Sequence, residues 1–188
     1  MVDNDFFRRP NMEVASDLGL LELRFSKEGQ LHVPDKTKRI LITQTVAYGT
    51  ERGFEPEKTK DGSVKKGHLG SFREPGSIYM YFTPWGYVLA ISTDEEGKYS
   101  HISIHGGLPI SGFEGVKKDN LDTLLDGPRK ITKGLGIDRE LAQALDGQLI
   151  YNTPMIAISD EKMPGSFRFD PTPITPAALG TYNFTRKR

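Results

Sequence analysis

At 188 residues, with 36% hydrophobic and 27% charged residues, the chain is long enough for one well-buried core and too short for two. It contains no cysteine, which excludes disulfides and Cys-ligated metals and favours a reducing, cytoplasmic environment. Its 25 basic and 25 acidic residues cancel, so a protein of this composition binds nucleic acid only by concentrating its cations on one face.

Strand signals dominate the first half of the chain. After a short amphipathic helix predicted over 11–18, β-branched and alternating apolar residues predict strands over 20–25 and 39–48. The segment 51–70 lacks periodicity and exceeds the usual length of a structureless connection, so we expect a functional or disordered loop. Strict alternation along the strand 39–48 predicts one set of side chains on a common face: Ile40, Ile42, Gln44 and Val46.

Two strands and a tight turn form the clearest motif of the sequence. The strands cover 77–83 and 87–92, and a Pro-Trp-Gly tripeptide at 84–86 closes the turn between them. Trp85, the only tryptophan in the chain, is therefore predicted at the tip of a hairpin. There it either folds back onto its own sheet or projects as a wedge or interface residue. An alternating strand over 99–104 completes an antiparallel meander.

The period of the apolar residues changes from strand-like to helix-like after the meander. No repeat or composition shift indicates a second domain, so we expect one domain over 1–188. The Pro- and Thr-rich segment 171–188 is predicted to form an extended C-terminal tail over the surface. Helices are predicted over 120–125, 129–133 and 139–145, and strands over 149–151 and 155–158.

Four blocks of the chain carry distinctive motifs. They are DFFRRPNMEVASDLGL at 5–20, ITQTVAYG at 42–49, FREPGSIYMYFTPWGY at 72–87 and LLDGPRKITKGLGID at 124–138. In this order, and followed by GSFRFD at 165–170, they resemble the 3-methyladenine (alkyladenine) DNA glycosylases over nearly the whole chain. The resemblance implies an α+β fold: a single domain with a curved antiparallel β-sheet, a protruding β-hairpin and short surrounding helices.

The activity that this resemblance implies is the excision of a damaged base from duplex DNA. Members of the family push an aromatic residue into the minor groove and flip the damaged nucleotide into an aromatic pocket, because a stacked base cannot be attacked at its glycosidic bond. The resemblance implies that Trp85 is the wedge and that Tyr48 and Tyr81 stack on the flipped base. Each tyrosine also fits an ordinary half-buried position in a sheet.

The residues that handle water in the family are changed here. The resemblance places the family's catalytic Glu at Val46, its His at Glu57 and its Arg at His105, and its pocket-restricting Asn at Ala90. Because a valine cannot take a proton from water, two alternatives remain open. Either Glu57 or Glu51 serves as the base with His105 as partner, or the protein binds DNA lesions without hydrolysing them. His105 also fits a strand-end histidine whose hydrogen bonds are satisfied.

Double-stranded DNA is the partner that the resemblance implies, and we expect a monomer without a membrane partner. We expect neither a metal nor another cofactor, because His101 and His105 share a predicted face without a third ligand. A small-molecule hydrolase or binding barrel is the further alternative that the zero net charge favours.

The cations of the predicted helix 129–133 also fit a solvated helix face. The candidate DNA-contacting residues are Trp85, Tyr87, Arg129, Lys130 and Lys133.

Overall fold

A curved antiparallel sheet of six strands organises the fold. The structure is a computed structural model, and it describes residues 1–49, 56, 58–116, 120, 123–161, 163, 169–172 and 183–186. The strands of the sheet are β1 (Glu22–Phe25), β2 (Lys38–Gly49), β3 (Ile78–Thr83), β4 (Gly86–Ser92), β5 (Ser100–Ser111) and β6 (Ile156–Ser159). Their order across the sheet is β3-β4-β5-β2-β1-β6, so the predicted meander and the predicted α+β fold are confirmed.

Short helices surround this sheet. They are α1 (Asn4–Phe7), α2 (Asn11–Leu18), α3 (Pro128–Leu135) and α4 (Arg139–Leu145), with 3₁₀ helices over Pro34–Lys36 and Lys66–Phe72. The predicted bounds of α4 are confirmed. At its start, the Asp138 carboxylate accepts a hydrogen bond of 2.9 Å from the backbone N–H of Leu141 and caps the first turn. Gly136, in the left-handed conformation at φ +82°, ends α3.

The side chains of β2 do not alternate regularly between the two faces of the sheet, so the predicted strict alternation is wrong. The register between β2 and β5 shifts between Ile42 and Gln44 and again between Gln44 and Thr45. The residues beyond this irregularity change faces, so Ile42 and Ala47 both belong to the core cluster although they are five positions apart. Val46, predicted to share a face with Ile42, lies on the opposite face of the sheet for the same reason.

The core lies between this sheet and the helices. The Oγ1 atom of Thr45 donates a hydrogen bond of 3.0 Å to the carbonyl of Ala15, which fixes β2 against α2. Helix α3 packs against β4 and β5 through the buried Ile131 and Leu135. Helices α2, α3 and α4 cover one face of the sheet, whereas the 3₁₀ helix Lys66–Phe72 is the helix that packs on the opposite face of β3, β4 and β5.

The predicted elements of the C-terminal part of the chain differ in how well they agree with the structure. The strand predicted over 149–151 is wrong: only Leu149 forms an isolated bridge, and the chain then turns, with the N–H of Asn152 donating to the Leu149 carbonyl at 2.9 Å. The prediction of a helix over 120–125 falls partly outside the described residues.

Two further short strands, β7 (Phe169–Thr172) and β8 (Asn183–Arg186), pair with each other near the C-terminus. The single domain and the extended tail over 171–188 stay predictions. Within the described ranges, no helix has both the length and the apolarity that a membrane crossing requires.

Candidate functional site

The tip of the β3–β4 hairpin presents Trp85 to solvent. The Oγ1 atom of Thr83 donates a hydrogen bond of 2.8 Å to the Gly86 carbonyl and closes the turn. Gly86 adopts φ +130°, a conformation that favours glycine, and this allows the tight reversal. The side chain of Trp85 is 74% exposed. Trp85 therefore projects from the hairpin tip and does not fold back onto its own sheet.

Helix α3 lies beside the hairpin tip and forms a groove with it. The guanidinium of Arg129 is 4.8 Å from the centroid of the Trp85 ring. The Oγ1 atom of Thr132 donates a hydrogen bond of 2.8 Å to the carbonyl of Tyr87, which fixes the helix against β4. The structure thus brings the five candidate DNA-contacting residues to one groove of about 390 Å³, which is lined by Trp85, Tyr87, Arg129, Lys130 and Lys133 among others.

Tyrosines and small residues cover the face of the sheet opposite the core, which we call the tyrosine face. Cross-strand pairing places Ala90 between Tyr79 and Ser103, and Ser103 pairs in turn with Val46. Val46 and Ala90 are buried at 1% and 0% exposure, so they form an apolar floor. Tyr48 and Tyr81 are only half-buried, so their rings can be reached from solvent. These four residues, predicted as a base pocket, are brought together. The tyrosine face is defined by Val46, Tyr48, Tyr79, Tyr81, Ala90, His101, Ser103 and His105.

His101 is a member of the tyrosine face that was not among the predicted site residues. Its ring stacks on Tyr48 at a centroid distance of 4.7 Å and an interplanar angle of 11°. Its Nδ1 atom is 2.9 Å from the Oγ atom of Ser71, which the 3₁₀ helix Lys66–Phe72 delivers. Burial, and then the nearby His68 and His105, lower the pKa of His101 to about 3. The imidazole is therefore neutral at physiological pH.

The phenols of the tyrosine face are neutral as well. Burial raises the pKa of Tyr48, Tyr79 and Tyr81 above that of an ordinary phenol. The hydroxyl of Tyr81 lies 3.4 Å from the Oγ atom of Ser103, and such a contact orients the ring without charging it. The face thus offers uncharged aromatic rings and hydroxyls, which are groups suited to stacking on a planar base.

Comparison with known proteins places the chain in a family. The model of the family described as methylpurine-DNA glycosylase (MPG) matches residues 5–167. The chain belongs to the methylpurine-DNA glycosylase family. A protein of Prosthecochloris aestuarii named "Putative 3-methyladenine DNA glycosylase" is 29% identical over 175 residues, which cover 88% of this chain and 76% of that protein. A protein of the same name from Carboxydothermus hydrogenoformans is 27% identical over 169 residues, covering 86% and 83% of the two chains.

Of the two candidate catalytic residues of this methylpurine-DNA glycosylase family member, His105 lies within the described residues. It lies on β5 beside the irregularity in the β2–β5 register, near His101. Burial lowers the pKa of His105 to about 4, so its ring is neutral near pH 7. Its Nε2 atom is buried and makes no hydrogen bond to any residue that the structure describes. Among the described residues this nitrogen is therefore an unpaired polar atom, the kind of group that a bound water or ligand satisfies.

The other positions in the predicted water-handling set are Val46, Glu57 and Glu51. Val46 is buried on the tyrosine face and has no group that moves a proton. Glu57 and Glu51, the candidate bases, lie outside the described residues. Across the part of the chain that the structure describes, no group of three His, Asp or Glu side chains is placed to hold a metal ion.

Proposed function

We propose that this protein is a DNA glycosylase that binds double-stranded DNA as a monomer, flips a damaged base and hydrolyses its N-glycosidic bond. The observation that carries the proposal is the position of two aromatic residues on one hairpin. Trp85 projects from the tip at 74% exposure, and Tyr81, four residues earlier, lies half-buried on the tyrosine face. A wedge and a receiving surface are thus joined by a few residues of one strand.

The physics of base excision requires both parts. A base in the stack hides its glycosidic bond, so the nucleotide must leave the helix at a cost of a few kcal/mol. An aromatic wedge such as Trp85 offsets that cost by filling the gap. The rings of Tyr48 and Tyr81 then recover about 1–3 kcal/mol by stacking on the flipped base.

We propose that Glu57 and His105 together handle the attacking water. In this reaction the water oxygen bonds to C1′ of the sugar and gives up one proton to Glu57. The C1′–N bond breaks with its electron pair leaving on the base, and the proton held by Glu57 passes on to the departing base or to solvent. The role of Glu57 as the acceptor of the water proton rests on the chemistry of its carboxylate at the family's His position, because the family's own base position is Val46 here. The role of His105 is supported by a neutral ring whose buried Nε2 atom has no hydrogen-bond partner among the described residues and can hold a water by one hydrogen bond.

A second candidate function is lesion binding without hydrolysis. It is favoured by Val46, which replaces the family's catalytic Glu with an aliphatic side chain at 1% exposure. A protein of this kind would still insert Trp85 and hold the flipped base against the tyrosine face. It would release nothing.

Release of free base from damaged duplexes separates the two functions. We expect the wild-type protein to release a base from at least one of three duplexes: alkylated, deaminated or etheno-modified. Glu57→Gln and His105→Ala should lower that rate at least tenfold because general acid–base catalysis contributes about 10²–10⁴-fold. Glu96→Gln and the exposed His32→Ala are matched controls that should not. Binding to every lesion without release selects the second function, and neither binding nor release contradicts both.

A further inference from the structure

Arg129 makes no ion pair within the described structure, whereas most of the described arginines do. Arg39 and Arg73, for example, each bind a carboxylate, at 2.6 Å and 3.0 Å. The guanidinium of Arg129 instead lies over the ring of Trp85, at 4.8 Å from its centroid. Among the described residues it has neither a carboxylate partner nor a hydrogen-bond acceptor for this guanidinium. Its charge is therefore not neutralised by an ion pair within the described structure.

The backbone around Arg129 fixes where its side chain begins. The N–H of Gly127 donates to the carbonyl of His105 at 2.8 Å, which anchors the start of α3 to β5. One turn later, Thr132 is hydrogen-bonded to the carbonyl of Tyr87. At the hairpin tip, Gly86 has no side chain, and a Cβ built there would lie 3.9 Å from the Cβ atom of Arg129. The two elements that carry the cation and the indole are thus held in contact.

We propose that Arg129 is a positioning residue for the wedge, which holds the Trp85 indole in the orientation that enters the base stack. This inference rests on the proposed function, in which Trp85 inserts into DNA. A fully exposed indole on a hairpin tip populates several rotamers, and fixing one of them on binding costs entropy. A planar guanidinium stacked on one face of the ring selects a rotamer before DNA arrives. The other face of the indole stays free to stack on a base.

The single tryptophan allows this to be measured in the free protein. Time-resolved fluorescence anisotropy reports the motion of Trp85 alone, because the chain has no other tryptophan. Arg129→Lys keeps the charge but loses the planar group, so the amplitude of the sub-nanosecond component should rise. Arg139→Lys makes the same change at an exposed arginine outside this groove, so the amplitude should stay at its wild-type value. An unchanged amplitude in Arg129→Lys overturns the proposal, whatever the protein does with DNA.

Binding to a duplex with an abasic site gives the second readout. Arg129→Lys should weaken binding about two- to fivefold, as expected for one exposed cation–π contact, and should leave the salt dependence unchanged. In a Trp85→Ala background the same substitution should have no further effect, because Arg129 acts through the indole. Additive losses in the double variant overturn the proposal. Failure of the wild-type protein to bind any duplex contradicts the proposed function instead, and it leaves the anisotropy test decisive for Arg129.

Discussion

The backbone N–H of Gly127 donates a hydrogen bond of 2.8 Å to the carbonyl oxygen of His105. This bond joins two parts of the site that are 22 residues apart in the sequence. On one side, α3 carries Arg129 to the ring of Trp85. On the other side, β5 carries the His105 ring to the tyrosine face. The groove proposed to face DNA and the surface proposed to receive a base are therefore anchored to the same strand.

Stacking on Tyr81 should account for much of the affinity for a flipped base. Tyr81→Ala removes the ring and should weaken binding to a lesion-containing duplex by about 1–3 kcal/mol. Tyr81→Phe keeps the ring and loses only the 3.4 Å contact of the hydroxyl with Ser103, so its affinity should stay within about 1 kcal/mol of wild type. Titration of a labelled duplex at fixed salt measures both, and undamaged duplex is the control. Equal losses in the two variants would contradict a stacking role.

His101 should make the protein less stable in acid. Its pKa is about 3 in the folded protein and about 6.5 when unfolded, so the unfolded chain binds more protons below pH 6.5. The stabilisation is fully present above pH 6.5 and is lost as pH falls towards 3. The slope is of the order of 1.4 kcal/mol per pH unit for one histidine.

Urea unfolding at pH 7.5, 6.5 and 5.5 tests this dependence. His101→Phe keeps a ring to stack on Tyr48 and removes the titrating group, so its stability should fall less with acid than that of wild type. The exposed His32→Ala is the control and should keep the wild-type slope. Identical slopes in wild type and His101→Phe would show that the burial of this imidazole does not govern the acid response.

Lys133 should contribute to DNA binding through phosphate charge alone. It lines the groove beside Trp85 and is exposed. Lys133→Gln should reduce the slope of log K against log salt by about 0.9, the change expected when one phosphate contact is lost. Lys27→Gln, an exposed lysine in the turn after β1, is the matched control and should leave the slope unchanged. A slope that is insensitive to Lys133 would remove this groove from the DNA interface.

The sequence was informative where structure is encoded locally. Asp138 and Gly147 mark the two ends of α4, because a cap and a terminating glycine act on their own helix. The turn around Trp85 and the two strands beside it follow from the same kind of local signal. For these elements, the predicted and observed bounds agree within a residue or so.

Non-local pairing explains what could not be predicted. The irregularity at Gln44 arises opposite Gly106, on a strand some sixty residues later, and it decides that Val46 faces away from the core. Likewise, Ser71 reaches His101 across 30 residues, and alternation alone gives only the face of that histidine and not its burial. The tyrosines were identified through the family resemblance, since a half-buried sheet tyrosine has no signal of its own.

In the proposed function, Trp85 drives a nucleotide out of the stack and onto the tyrosine face. The most direct measurement is stopped-flow fluorescence of a duplex with 2-aminopurine next to the lesion, because 2-aminopurine brightens when its neighbour leaves the stack. We expect a fast rise in signal with wild type and with Phe82→Ala, a matched exposed aromatic on the same hairpin. With Trp85→Ala, whose fold should be intact, the rise should be lost or slowed at least tenfold. A rise of the same rate and amplitude in Trp85→Ala would contradict the account.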